Sequence, residues 1–484
     1  MFHKAHGKQE MRIRLIAGAM ALVCLAATFK IVSLGSHLRL TATIPALLGL
    51  AFLAFAIGPS AWTKRITAVM QTLHRAIARA DWEPPRMLVV ALAVCGIALG
   101  LWGLQFAWQV PTNPDETDQG AYLATASQIQ ADGGLFALMR RLYSGEFHEA
   151  NRHPFYLGLL SLSPTQTWGK ILSTIAVIIA IAGTAAILSC RSSLLASVLF
   201  LIWCSVNPAL LKSATMIGCE AWLMVWIAIS WWILDIRPPA DGAANGDHRR
   251  TLGRTLGAGL SLGLGWLTKG TALPLLPLTA CWLGFREFNT TRRALFGLIA
   301  TLVFGCGWLA SAHPLLIRNV RAFHSPFHNV NSWLLFVDAF EDPVELSQNR
   351  RLGDLAQDYV RSHTIGELVG REANGLVWES FILLRLLGAG PSNLSRAISG
   401  TLVLLLALLG ASLSGRCATQ LVLIWTIMLV PLFAWYIPIA ADDRFLVPFA
   451  PIWIAYAAEG AARLLSAWFM SRAVHASPKK VGQD

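Results

Sequence analysis

Three carboxylates, Asp115, Glu116 and Asp118, stand within four residues at the start of the stretch NPDETDQGAYLATASQIQADGG. Tyr122 follows Asp118 at i+4, and Ala121 to Ile129 reads as a helix. The carboxylates then sit at its N-terminal end, where the helix dipole favours the anionic form. A carboxylate held ionised there can accept a proton from an incoming hydroxyl. The plainer alternative is that Asp118 caps the helix and its neighbours are solvated. Downstream, HEANRHPFYLGLL brings Arg152, His153 and Pro154 together. Arg152 can pair with a phosphate and His153 can bind a hydroxyl, or both are interfacial anchors. Glu220 lies within an apolar run, and a carboxylate inside a membrane must face a cavity or a partner. Lys269 interrupts a second run, Arg318 follows a third, and Asp442, Asp443 and Arg444 join the last two. Singly, each reads as a boundary charge with its stem on apolar surface. Jointly, carboxylates face Lys269, Arg318 and Arg444, cations able to hold a phosphate that gains negative charge as it leaves. His324 and His328 are spaced i,i+4, but Pro326 between them argues against a shared helix face for a metal. His148 with His153 is no metal spacing either, so no metal site is expected.

The elements that must position these residues are membrane helices. Aliphatic, aromatic and cysteine residues make up 55% of the 484 residues and charged residues 14%, against roughly 25% charge in a soluble domain. Apolar runs of about 20 residues recur, the length that crosses a bilayer as a helix. The period-2 alternation of a barrel is absent. Twelve spans are predicted, near 13–34, 40–58, 87–108, 168–188, 194–210, 214–234, 255–268, 271–285, 294–316, 396–414, 419–440 and 445–465. The stretch 255–285 reads either as two short helices turning at Lys269-Gly270 or as one kinked element. The eight cysteines fall in or beside spans without a CxxC pair and read as small apolar residues.

The net charge of +12 reflects basic inner loops rather than a nucleic-acid surface, which would need a dense basic face with interleaved aromatics. Lys4, Lys8, Arg12 and Arg14 begin the series, followed by Lys64, Arg65, Arg75 and Arg79. Arg249, Arg250 and Arg254, then Arg286, Arg292 and Arg293, continue it, and the tail carries Arg472, Lys479 and Lys480. These groups alternate so that both termini are cytoplasmic. Two long segments, about 109–167 and 317–395, are left outside. Thr364-Ile-Gly-Glu367 reads as a capping box opening an amphipathic helix, expected to lie on the membrane surface. The flexible stretch 237–250 suits an inner loop. Three regions follow: a two-helix hairpin with a basic linker (1–86), a transmembrane unit (87–465) and a basic tail (466–484). The residues alone lead to outward-facing chemistry on an anionic lipid, or its transport. A transporter or flippase, or a non-catalytic export subunit, shares the span count. Here, however, the halves differ in loop size and the ionisable residues gather at one boundary, unlike a symmetric carrier.

The motifs resemble those of the GT-C superfamily of membrane glycosyltransferases, in its bacterial branch related to protein O-mannosyltransferases and aminoarabinose transferases. The matching elements are Asp118-Gln-Gly-Ala-Tyr122 with Ala126 and Gly133, Arg152-His-Pro154, and Glu220 early in a span. Further on are Leu267-Thr-Lys-Gly270, Arg318-Asn319 and Asp443-Arg-Phe-Leu-Val-Pro448. Together they cover roughly 87–465. The resemblance implies a GT-C-like all-α fold of about 12 transmembrane helices, with two long outer loops carrying interfacial helices. It implies a bacterial inner-membrane enzyme that moves a sugar from a polyprenyl-phosphate-linked donor to a lipid, glycan or protein acceptor on the outer face. It assigns the catalytic role to Asp118, with Asp115 and Glu116 as close competitors. It sets Lys269, Arg318 and Arg444 on the donor phosphate, with Arg152, His153 and Glu220 as further substrate contacts. No cofactor is expected to be essential; a divalent metal is not predicted. Two departures stand out: the pair 13–58 precedes the family's first span, and Phe445 stands where Tyr often follows the arginine.

Overall fold

The computed structural model describes residues 84–110, 118–235, 247–414 and 418–476, and among these the regular structure is helical with no strand. The first described helix is α1 (Arg86–Gln109), followed by the short helices α2 (Asp118–Ala131), α3 (Gly134–Ser144) and α4 (Pro154–Leu160) of the first long segment. The bundle continues with α5 (Gln166–Arg191), α6 (Leu194–Val206), α7 (Pro208–Thr215), α8 (Glu220–Leu234), α9 (Asp247–Thr268), α10 (Leu275–Thr291) and α11 (Ala294–Phe323). A second long segment holds α12 (Pro343–Asn349) and α13 (Leu352–Ser362), and α14 (Ile365–Leu387), α15 (Asn393–Ser414), α16 (Thr419–Tyr436) and α17 (Ala450–Ala476) are the last described helices. The predicted spans 13–34 and 40–58, the basic tail beyond 476 and most of the linker 237–250 lie outside the described residues.

Among the described residues, α1, α5, α11, α15 and α16 are each long and apolar enough to cross a membrane, and α6 with α7 makes a sixth if the bent pair counts as one span. Their outward faces carry large apolar side chains, among them Trp102 and Phe106 on α1, Leu298 and Leu302 on α11 and Ile427 on α16. Water would penalise such surfaces, whereas lipid does not. The chain is therefore a multi-pass all-α membrane protein.

The predicted straight spans 194–210 and 214–234 need correction. The first breaks at Asn207-Pro208, where the axis turns by 67°. Pro208 cannot donate to the preceding turn, and the Asn207 side chain instead accepts from Leu210 N to start α7. The second span begins six residues late, at Glu220. Met216–Cys219 runs non-helically, pinned by Ser173 Oγ donating to Met216 O at 2.6 Å and Ile217 N donating to Gln119 Oε1 at 3.0 Å. The stretch 255–285 resolves into two helices, α9 and α10, separated by a 3-10 turn after Lys269.

Helices α9 and α11 meet at backbone distance: a Cβ on Gly259 would collide with Phe304 O, and one on Gly307 with Leu256 O. Small residues at such a seam let dispersion and close contact hold helices together where lipid offers no hydrophobic drive. The capping box at Thr364 and Glu367 forms as expected. However, α14 does not lie flat on a surface. Its second half, including Phe381, Leu383, Leu384 and Leu387, is buried in the bundle core, and Gly375 approaches the backbone of α16 too closely to admit a side chain. The apolar positions beyond Gly375 run all round the helix, which suits a buried helix rather than an interfacial one.

Candidate active site

The structure brings Asp118, at the start of α2, to Arg444, in the loop between α16 and α17. Arg444 Nη1 donates to Asp118 Oδ2 at 2.8 Å, and Arg152 Nη2 stands 4.0 Å from the other carboxylate oxygen. Asp118 remains about half exposed, at 53%. The next residue, Gln119, is buried and holds the 216–219 linker. Tyr122, one turn on, is packed against Tyr156 and donates to Cys219 Sγ at 3.1 Å. Helix α2 is thereby fixed to α4 and to the start of α8. Asp115 and Glu116 lie outside the described residues.

Asp118 and Arg444 line a cavity of about 620 Å³, together with Gln119, Lys212, Glu220 and Asp442. That volume is in the range of small-ligand sites. Glu220 has the partner that its intramembrane position demands: Lys269 Nζ donates to Glu220 Oε1 at 2.6 Å. Lys269 also lies 5.2 Å from the Phe445 ring centroid, and Arg444 approaches the same ring.

Of the cations expected to converge, Lys269 and Arg444 meet at the Phe445 ring, whereas Arg318 stands apart. Arg318, 2% exposed, donates from Nη1 to Glu149 O at 2.6 Å and stacks near Phe147 and Phe323. It fastens the 109–167 segment onto α11 and does not line the cavity. His153 is also buried, beside Trp266 and against Gly270. Burial, and then the Arg318 charge, push its ring down to about 3. Lys269 is occupied by Glu220, and Arg152 additionally reaches Glu149 Oε2 at 3.4 Å.

Sequence reasoning missed three contributors. Lys212, exposed at the end of α7, lines the cavity. Arg385 Nη2 donates to Asp443 Oδ1 at 3.0 Å, and Arg396 Nη2 lies 3.7 Å from Oδ2. These two arginines grip the turn that bears Arg444. Burial opposes ionisation of Asp443, but its hydrogen bond from Asp442 and the Arg385 charge hold its carboxyl below the usual range. Burial and the Asp443 carboxyl push Asp442 up. The Asn-Pro dipeptide within an apolar run was the available signal for Lys212, since a broken membrane helix must line a cavity or be packed in protein. The carboxylates Asp118, Glu220 and Asp443 are each faced by a cation. Among the described residues no three His, Cys, Asp or Glu side chains converge as metal ligands.

No family model matches the chain, and no curated protein matches it. Among solved structures it is similar to the archaeal oligosaccharyltransferase AglB from Archaeoglobus fulgidus in complex with an inhibitory peptide and a dolichol-phosphate. The identity is 14% over 75% of this chain and 52% of that one, with a TM-score of 0.40. The apo form of the Archaeoglobus fulgidus oligosaccharyltransferase gives 14% identity over 74% and 52%, with a TM-score of 0.39. ArnT from Cupriavidus metallidurans bound to undecaprenyl phosphate gives 13% identity over 80% of both chains, with a TM-score of 0.34. The chain spans about half the length of the oligosaccharyltransferase structures it matches.

Proposed function

We propose that this chain is a glycosyltransferase of a bacterial inner membrane. It moves a single sugar, with inversion, from a polyprenyl-phosphate-linked donor to an envelope acceptor (lipid, glycan or protein) on the outer face. The observation that carries the reading is the half-exposed Asp118 carboxylate with a guanidinium at 2.8 Å on the wall of the cavity. The order of the motifs along the chain supports it as well.

The acceptor hydroxyl donates a hydrogen bond to Asp118, and its oxygen attacks the anomeric carbon. The new glycosidic C–O bond forms as the bond from that carbon to the phosphate oxygen breaks. The hydroxyl proton passes to Asp118, and the electron pair leaves with the polyprenyl phosphate. Arg444, with donors left over from its bond to Asp118, meets the charge that grows on that phosphate. Lys269 and Glu220 neutralise one another, and Glu220 lines the cavity with Asp118. Among the described residues no divalent-ion ligand set forms, and the step as written uses only Asp118 and Arg444.

A broken membrane helix beside a cavity is also a device of transporters, so the test uses detergent-solubilised protein, where there are no compartments to transport between. Asp118→Asn is expected to abolish sugar transfer from a synthetic undecaprenyl-phosphate sugar while the protein still inserts and elutes as a folded species. Wild-type turnover in that variant with Asp115 and Glu116 also neutralised would overturn the proposal.

A further inference from the structure

Of the cations that the sequence pointed to, only Arg444 lines the cavity. Arg318 is spent on Glu149 O and Lys269 on Glu220. Lys212 is the second cation on the lining, and its ammonium makes no ion pair or hydrogen bond among the described residues. The carboxylates that it faces through space are Asp442 and Asp443. Asp443 is already engaged by Arg385 and Arg396. Asp442 is pushed up by burial and by the Asp443 carboxyl, which disfavours its anion. Lys212 thus lines the cavity as a cation that shares the field of these two carboxylates without a direct contact to either. Arg444 brings a buried Nε that has no hydrogen-bond partner.

Lys212 also owes its place to a local feature. The chain break at Asn207-Pro208 turns α7 by 67° out of the line of α6. Along a straight continuation the same ammonium would project from an unbroken span. After the bend it lines the cavity together with Asp442, Asp443 and Arg444 of the α16–α17 loop. It ends a helix, where the dipole favours a cation.

We propose that Lys212 and Arg444 form a two-pronged site for the phosphate headgroup of a polyprenyl-phosphate lipid, with Lys212 supplying the second cation in place of Lys269 and Arg318. The site rests on the reading given under Proposed function, but it is tested by binding alone. Arg444 presents a planar fork shared between Asp118 and phosphate, and Lys212 a point charge on a flexible stem.

The test measures equilibrium binding of radiolabelled undecaprenyl phosphate to the full-length protein in detergent, with unlabelled undecaprenyl phosphate, undecaprenol and inorganic phosphate as competitors. The wild type is expected to prefer undecaprenyl phosphate over undecaprenol. Lys212→Ala is expected to cut that preference about 10- to 100-fold, the effect of one hydrogen bond to a charged group, and Lys212→Arg to restore most of it. An unchanged preference in Lys212→Ala overturns the site. So does recovery of the preference in Lys212→Ala/Asp442→Asn, because Lys212 then only neutralises Asp442. Inorganic phosphate competing as well as the lipid phosphate would overturn the lipid assignment. Retained lipid discrimination without any sugar transfer would instead refute the transfer reaction and leave the site standing.

Discussion

Replacing Arg444 by alanine separates the chemistry of the site from the stability of the fold. The side chain donates at 2.8 Å to a carboxylate that is 53% exposed, and is itself 39% exposed. A pair so wetted contributes about 0–1 kcal/mol to folding. The same charge acts differently on a phosphate leaving within the cavity. Two unit charges at about 4 Å interact by about 1 kcal/mol in water and about 4 kcal/mol at an effective dielectric near 20. Loss of one preorganised donor at a developing anion costs about 10²–10³ in kcat. Arg444→Ala is therefore expected to lower the rate of sugar transfer about 100- to 1000-fold with the unfolding temperature essentially unchanged. Arg444→Lys, which keeps the charge without the fork, is expected to fall between. The assay is single-turnover transfer from a synthetic undecaprenyl-phosphate sugar in detergent, alongside thermal unfolding of the same preparations. A rate within twofold of wild type in a folded Arg444→Ala protein would refute the reasoning. So would a loss of rate that tracks a large fall in unfolding temperature.

Two further outcomes follow from other parts of the structure. Glu220→Gln or Lys269→Met alone leaves an unpaired, largely buried charge and is expected to destabilise the protein by about 3–5 kcal/mol; the double variant should recover most of this in denaturant unfolding. His153 is pushed from 6.5 to about 3 by burial and Arg318. Below about 6.5 the unfolded chain binds a proton that the folded chain refuses until about 3. The contribution of His153 to stability is then full above 6.5 and falls as pH drops through that window. His153→Gln should flatten the dependence of unfolding on pH between about 4 and 6.5, and an unaltered slope would count against the buried neutral ring.

Much of the architecture was legible because membrane helices obey few rules. Long apolar runs gave α1, α5, α11, α15 and α16, and the Thr364–Glu367 box marked the start of α14. The demand that Glu220 find a partner is met by Lys269, 49 positions away. The convergence of Asp118 and Arg444 crosses 326 positions, and only the shared side of the membrane hinted at it. Less legible was which cation faces the cavity. Arg318 and Lys212 look equivalent in sequence, each a basic residue near the end of an apolar run. The difference lies in the bend at Pro208 and in the fold of Glu149 over Arg318, both products of packing. Arg385 escaped notice because the sequence reads α14 as an interfacial helix, whose arginines would face water, and Arg396 because it stands at the very start of the span α15.

The break between α6 and α7 has a mechanical side. Asn207 is fully buried, and besides starting α7 it donates from Nδ2 to Leu386 O at 2.9 Å and to Gly388 O at 3.4 Å. One amide thus serves as a rivet between the bent span and the corner joining α14 to α15. That corner carries Arg385 and Arg396, whose hold on Asp443 sets the turn bearing Arg444. Lys212 on α7 and Arg444 on the α16–α17 turn are thereby linked through the single side chain of Asn207.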